Sequence, residues 1–169
     1  MALERVLFGE AGSIEAIVDT GITVIAHFEN PAQRSAVNLL SQVLRGERRC
    51  LIPTSTLLGA YHIMTEYLGV EEVSAYKALT RTLETRSPAL HPDLSIDQTI
   101  DALTYANGYH VESWDGYIIA LAKEVNAPLI YSIDENLSTK LKEIHVINPI
   151  PREEYDSYNQ WLRQRLSTP

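Results

Sequence analysis

Short apolar runs alternate with amphipathic stretches along most of this chain. Ala16–Asp19 reads as a buried strand that ends on an acid. Asn30 and Pro31 read as the cap and first turn of a helix, with Ala36, Leu39, Leu40, Val43 and Leu44 at the i, i+3, i+4, i+7, i+8 spacing of one buried face and Gly46 as its stop. Cys50–Pro53 is a second strand. Thr54 or Ser55 caps the next helix, which buries Leu57, Tyr61, Met64 and Leu68 and ends at Gly69. A third helix carries Val73, Tyr76, Leu79 and Leu83. Ala89–His91 is a short strand. Ser95 caps a helix with Ile96, Ile100 and Leu103 inward, stopped by Gly108, and Ser113 caps another with Ile118, Leu121, Ala122 and Val125 inward. Pro128–Ser132 and Ile144–Ile147 complete the strands, and Tyr155, Tyr158, Leu162 and Leu166 mark a final amphipathic helix. Strands separated by helices predict an α/β fold: a three-layer α/β/α sandwich around a parallel sheet. Neither an internal repeat nor a long linker divides the 169 residues, so one domain is expected, with a core over about 15–149 and a helical extension over about 151–166.

Composition narrows the classes. The longest uninterrupted apolar run, Tyr117–Ala122, is far too short to span a membrane. Met1–Gly12 lacks a basic-then-apolar signal pattern. The single cysteine, Cys50, excludes an internal disulfide framework and reads as a core residue. A soluble cytoplasmic protein is expected. The net charge of −8 argues against a general nucleic-acid coat, but leaves room for a nuclease with acids at a metal site and a local basic rim. Arg45, Arg48 and Arg49 form the densest basic cluster and read as a solvated helix end.

Parallel sheets bind ligands beyond the carboxyl ends of their strands. Asp19 and Asp134 follow predicted strands, and Asp115 opens a predicted helix. Facing one crevice, three carboxylates repel one another unless a hard cation neutralises them, and oxygen ligands select Mg²⁺ or Mn²⁺ over Zn²⁺. Each acid also has a plain reading: Asp115 as a charge at a helix N-terminus, Asp19 and Asp134 as turn or cap residues. A phosphatase with an aspartyl nucleophile would want a second acid two residues after Asp19, where Gly21 stands. The five histidines show no zinc-ligand spacing, and no nucleotide-binding glycine loop is present.

Four segments together resemble the PIN-domain family, that of VapC-type toxin ribonucleases. Ala16-Ile17-Val18-Asp19-Thr20 is similar to its opening motif, Ile52-Pro53-Thr54-Ser55-Thr56-Leu57-Leu58-Gly59 to its second, Ser113-Trp114-Asp115-Gly116 with the Ala-rich helix that follows to its third, and Tyr131-Ser132-Ile133-Asp134 to its fourth. The resemblance covers about residues 15–149. It implies a parallel sheet of four or five strands and Mg²⁺- or Mn²⁺-dependent cleavage of single-stranded RNA. It also implies an antitoxin partner, with a homodimer expected. Asp19, Asp115 and Asp134 would be the catalytic metal ligands, supported by Thr20 and Ser132. One departure stands out. The second motif's usual Glu is Gly59 here. Glu66 lies about 10 Å further by helix rise. His62 could contact phosphate or be merely packed or solvated, and Glu112, three residues before Asp115, is the better substitute. A degenerate PIN domain that binds RNA or protein without cutting is the alternative function. Met1–Ile14 and Pro151–Pro169 are additions to the family pattern. Tyr155, Tyr158 and Trp161 would pack on the domain or on a second subunit.

Overall fold

The computed structural model describes residues 13–92 and 94–167. Five strands form one all-parallel sheet: β1 (Ala16–Val18), β2 (Cys50–Pro53), β3 (Leu90–His91), β4 (Leu129–Tyr131) and β5 (His145–Ile147), in the order β3-β2-β1-β4-β5. Between and after them run α1 (Thr20–Ala26), α2 (Gln33–Leu44), α3 (Thr54–His62), α4 (Glu72–Glu84), α5 (Ile96–Tyr109), α6 (Ser113–Glu124), α7 (Glu135–Lys140) and α8 (Arg152–Leu166). A π-helical turn, Ile63–Tyr67, prolongs α3.

β1 and β2, in the middle of the sheet, are buried on both faces, whereas His145 and Ile147 of the outermost β5 are exposed. Ala16, Val18, Cys50 and Ile52 point to one side, into a core with Ile22, Leu40, Leu57 and Met64. Ile17, Leu51 and Ile130 point to the other, against Ile118, Ile119, Leu121 and Leu137. The result is the expected three-layer sandwich. α8 joins the first layer: Tyr158 is buried, and Trp161 packs on Phe28 with ring centroids 5.7 Å apart. The aromatic residues of the carboxy-terminal extension therefore pack on their own domain, although Leu166 is exposed. Of the amino-terminal addition, residues 1–12 lie outside the described residues, and Ile14 is buried.

Several local expectations are corrected. α1 starts directly after Asp19, where no helix is expected. α2 starts at Gln33 rather than Pro31, because the Asn30 side chain makes a turn, accepting from the Ala32 amide (3.0 Å) and donating to Ile25 O (2.8 Å). Neither Thr54 nor Ser113 is a cap; both already lie inside their helices, after Pro53 and Glu112. Ser95 does cap α5, in a reciprocal pair with Gln98.

The buried face of α5 is the largest correction. Ile96 is 80% exposed, and Ile100 and Leu103 also face outward. The buried side is Ala102, set against α6 at Gly116. A Cβ on Gly116 would lie 2.1 Å from the Ala102 carbonyl oxygen, so the two backbones touch there. Small residues carry this contact, and the large apolar ones are left outside. Gly108 does not stop α5, which ends at His110 in a left-handed conformation (φ 54°). On α4, Ala75 and Leu79 are buried while Val73, Tyr76 and Leu83 are exposed, and Tyr61 of α3 is also exposed.

Candidate functional site

Strand order reverses at β1, the first strand, which has β2 on one side and β4 on the other. Its carboxyl end and that of β4 flank the natural crevice of such a sheet. The Asp19 amide donates to Tyr131 O (2.9 Å), which fastens the two strand ends together. Both strand-end acids then start helices. Asp19 caps α1, its Oδ1 accepting from the Thr20 amide (2.6 Å). Asp134 caps α7, accepting from the amides of Asn136 (2.8 Å) and Leu137 (3.4 Å). The cap reading of these two acids therefore holds.

Asp19, Asp115 and Asp134 line one crevice of about 490 Å³, together with Thr20, Gly59, His62 and Glu112. Ser132 lies just behind. Its hydroxyl donates to Asp19 Oδ2 (2.6 Å) and its Oγ accepts from the Asp134 amide (3.0 Å), so one buried side chain ties the Asp19 carboxylate to the Asp134 backbone. With Thr20 N on one oxygen and Ser132 on the other, both carboxylate oxygens of Asp19 are held. Thr20 thus contributes through its amide.

The cluster is electrostatically strained. Burial pushes the Asp115 carboxyl up to about 7, and the charges of Asp19, Asp134 and Glu112 push the same way, against a hydrogen bond from the Glu112 backbone. Burial also raises the Asp19 carboxyl, opposed by Ser132 and the Thr20 amide and assisted by the charge of Asp134. Hard oxygen donors held at such a charge cost match a divalent cation of the Mg²⁺ or Mn²⁺ class. Among the described residues, no three His, Cys, Asp or Glu side chains stand close enough to chelate one ion as they are, so chelation requires the carboxylates to draw inward.

Gly59 faces this crevice, and a Cβ there would sit 3.1 Å from Thr20 Cγ2. The Thr20 methyl thus stands beside the position that a larger residue at 59 would take. Glu112 and His62 line the crevice, while Glu66 is exposed on the π-helical turn and is not among the lining residues. A Cβ on Gly21 would meet Ile133 Cγ1 at 2.7 Å, which leaves no room for a second acid.

Two aromatic lining residues carry no site role in the sequence reading: Tyr67 and Trp114. Trp114 was visible beside Asp115. Tyr67 was not, because the π-helical turn that orients it breaks the helical period. The basic cluster lies at the other edge of the sheet. Arg48 pairs with Glu15 and Tyr131, and Arg45 pairs with Glu47 (2.7 Å). Cys50 is fully buried, its thiol pushed up to about 12 chiefly by burial, as a core residue requires. No helix among the described residues is long and apolar enough to cross a membrane.

No protein-family model matches the chain, and no curated protein matches it. Among solved structures, it is similar to the crystal structure of PAE2754 from Pyrobaculum aerophilum, at 15% identity and a TM-score of 0.55, over 98% of this chain and 99% of that one. At that identity the likeness bears on the fold alone.

Proposed function

We propose that this chain is a metal-dependent endoribonuclease of the PIN type, acting on single-stranded RNA. The observation that carries the reading is the Ser132 bridge. It ties the Asp19 carboxylate to the backbone of Asp134 where the strand order reverses, in a crevice that Asp115 also lines. All four family-like segments contribute to that crevice or its wall: Asp19 and Thr20, Ser55 and Gly59, Trp114 and Asp115, Ser132 and Asp134.

Asp19, Asp115 and Asp134 would hold Mg²⁺ or Mn²⁺, which when bound supplies a Lewis acid and an activated water for phosphodiester hydrolysis. Ser132 and the Thr20 amide hold the Asp19 carboxylate in place, and the other carboxylates would be drawn toward the cation. Because burial and neighbouring acids push the metal-free Asp115 carboxyl up to about 7, it would have to give up its proton to take the cation, so metal uptake is expected to strengthen as pH rises through that value. The same reading includes a cytoplasmic toxin restrained by an antitoxin, and a second copy as partner.

The test is cleavage of a single-stranded RNA pool and of an RNA duplex, with Mg²⁺ or Mn²⁺, by wild type and by Asp115→Asn. Metal-dependent cutting of the single strand alone, lost in the variant, is the expected result. A folded wild type that cuts neither substrate with either metal would falsify the reading. The second reading, a module that binds without cutting, is favoured by Gly59, which leaves the crevice one acid short. It predicts RNA retained intact by the wild type.

A further inference from the structure

The acidic crevice has a feature that cation binding does not use. Tyr67 and Trp114 line it, yet are 64% and 55% exposed. The chain's other tryptophan, Trp161, is packed against Phe28 and Tyr158 and lies under the Arg165 guanidinium. Among the described residues, Trp114 has no ring or guanidinium of that kind against it. Tyr67 meets only the edge of His62, ring centroids 5.5 Å apart at 87°, which leaves its faces open. The π-helical turn makes this possible: Leu68 N donates to Ile63 O (3.1 Å), so Met64 and Leu68 enter the core while Tyr67 stays at the mouth.

No Lys or Arg is among the described residues lining this crevice. A polyanion therefore finds four acids there, while Lys140 lines the adjoining crevice beyond Asp115 and Asp134, where its ammonium donates to the His110 carbonyl. Aromatic faces supply affinity that phosphate contacts cannot, because every base has a π face.

We infer that Trp114 and Tyr67 form a nucleobase-stacking subsite at the mouth of the acidic crevice, gripping single-stranded RNA by its bases rather than its phosphates. The inference rests on the ribonuclease reading for the identity of the strand. It adds a reason for single-strand preference, since bases inside a duplex present no free face. It also accounts for an RNA enzyme of net charge −8.

The test is equilibrium binding of an oligoadenylate of about eight nucleotides, beside an abasic ribose-phosphate oligomer of equal length. The Asp115→Asn background prevents cutting. Trp114→Ala and Tyr67→Ala are each expected to weaken oligoadenylate binding roughly fivefold to 150-fold. Trp114→Phe should stay near the parent, the abasic oligomer should bind poorly to all, and affinity should change little with salt. Failure of the parent to bind, equal binding of the abasic oligomer, or indifference to Trp114→Ala would overturn the subsite, and would leave the exposed rings to a protein partner. Cleavage by the otherwise wild-type enzyme separates the two readings. Cutting with a KM unchanged by Trp114→Ala sinks the subsite and keeps the nuclease. Base-dependent binding without cutting keeps the subsite and sinks the nuclease.

Discussion

Ser132 reaches back across 113 residues of chain to donate a 2.6 Å hydrogen bond to Asp19. Asp19 is buried, and its other oxygen is already taken by the Thr20 amide. A buried carboxylate that loses a donor retains its desolvation cost without compensation. Ser132→Ala should therefore lower stability by about 1–3 kcal/mol. Urea unfolding at pH 7 measures this; an unchanged midpoint would show that the bond contributes nothing.

Asp115 sets the sign of a pH effect. Its folded carboxyl sits near 7, above its ordinary 3.8, so the folded state binds the proton more tightly than the unfolded chain. The stabilisation is complete below pH 3.8 and is lost as pH rises through about 7. A displacement of this size corresponds to roughly 4 kcal/mol, and screening at a partly open crevice leaves about half of that. Without divalent metal, Asp115→Asn should be more stable than wild type at pH 8 and close to it at pH 4. Chemical unfolding of both proteins at the two pH values is the check. Parallel curves would count against a strained carboxylate.

Mn²⁺ should relieve the same repulsion. A ligand confined to the native state adds ~2.7 kcal/mol at a hundredfold excess over its Kd. Thermal unfolding of wild type should shift upward with Mn²⁺, and that of Asp19→Asn should shift less. Equal shifts would remove Asp19 from the ligand set.

Gly59→Glu should increase Mn²⁺ affinity. The new Cβ would press on Thr20 Cγ2 at 3.1 Å, a side-chain methyl that can give way. Replacing a helical glycine also regains up to ~1 kcal/mol, so overall stability should change little. Combining the change with Thr20→Ser removes the methyl and should allow any gain to appear in full. Mn²⁺ titration of both variants decides; no gain in either, with folding intact, would mean that Glu112 already serves or that the cluster does not take the ion.

Much of this arrangement was legible in the chain itself, for a definite reason. Strand-end acids follow short apolar runs, and a parallel sheet delivers them to one edge, so Asp19 and Asp134 could be paired before any coordinates. The supporting role of Ser132 comes only from the resemblance to the PIN-domain family, and its double hydrogen bond could not be foreseen. The failures share a cause. Apolar size was read as burial at Ile96, Ile100 and Leu103, but α5 meets α6 through Ala102 and Gly116, where closeness of backbone counts for more than side-chain area. At Tyr67 a π-helical turn shifts the period by one residue, which no 3.6-residue pattern follows.

The central strand of this sheet is also the first of the described strands in chain order. Paired with β2 alone, β1 would have an open edge where β4 lies. That edge would carry unsatisfied amides and carbonyls, among them the Asp19 amide. Pairing with β4 closes the edge and brings Ser132 and Asp134 to Asp19. The acidic crevice thus depends on the same β1–β4 pairing that closes the middle of the sheet, so a change that loosens this pairing would disperse the site along with the fold.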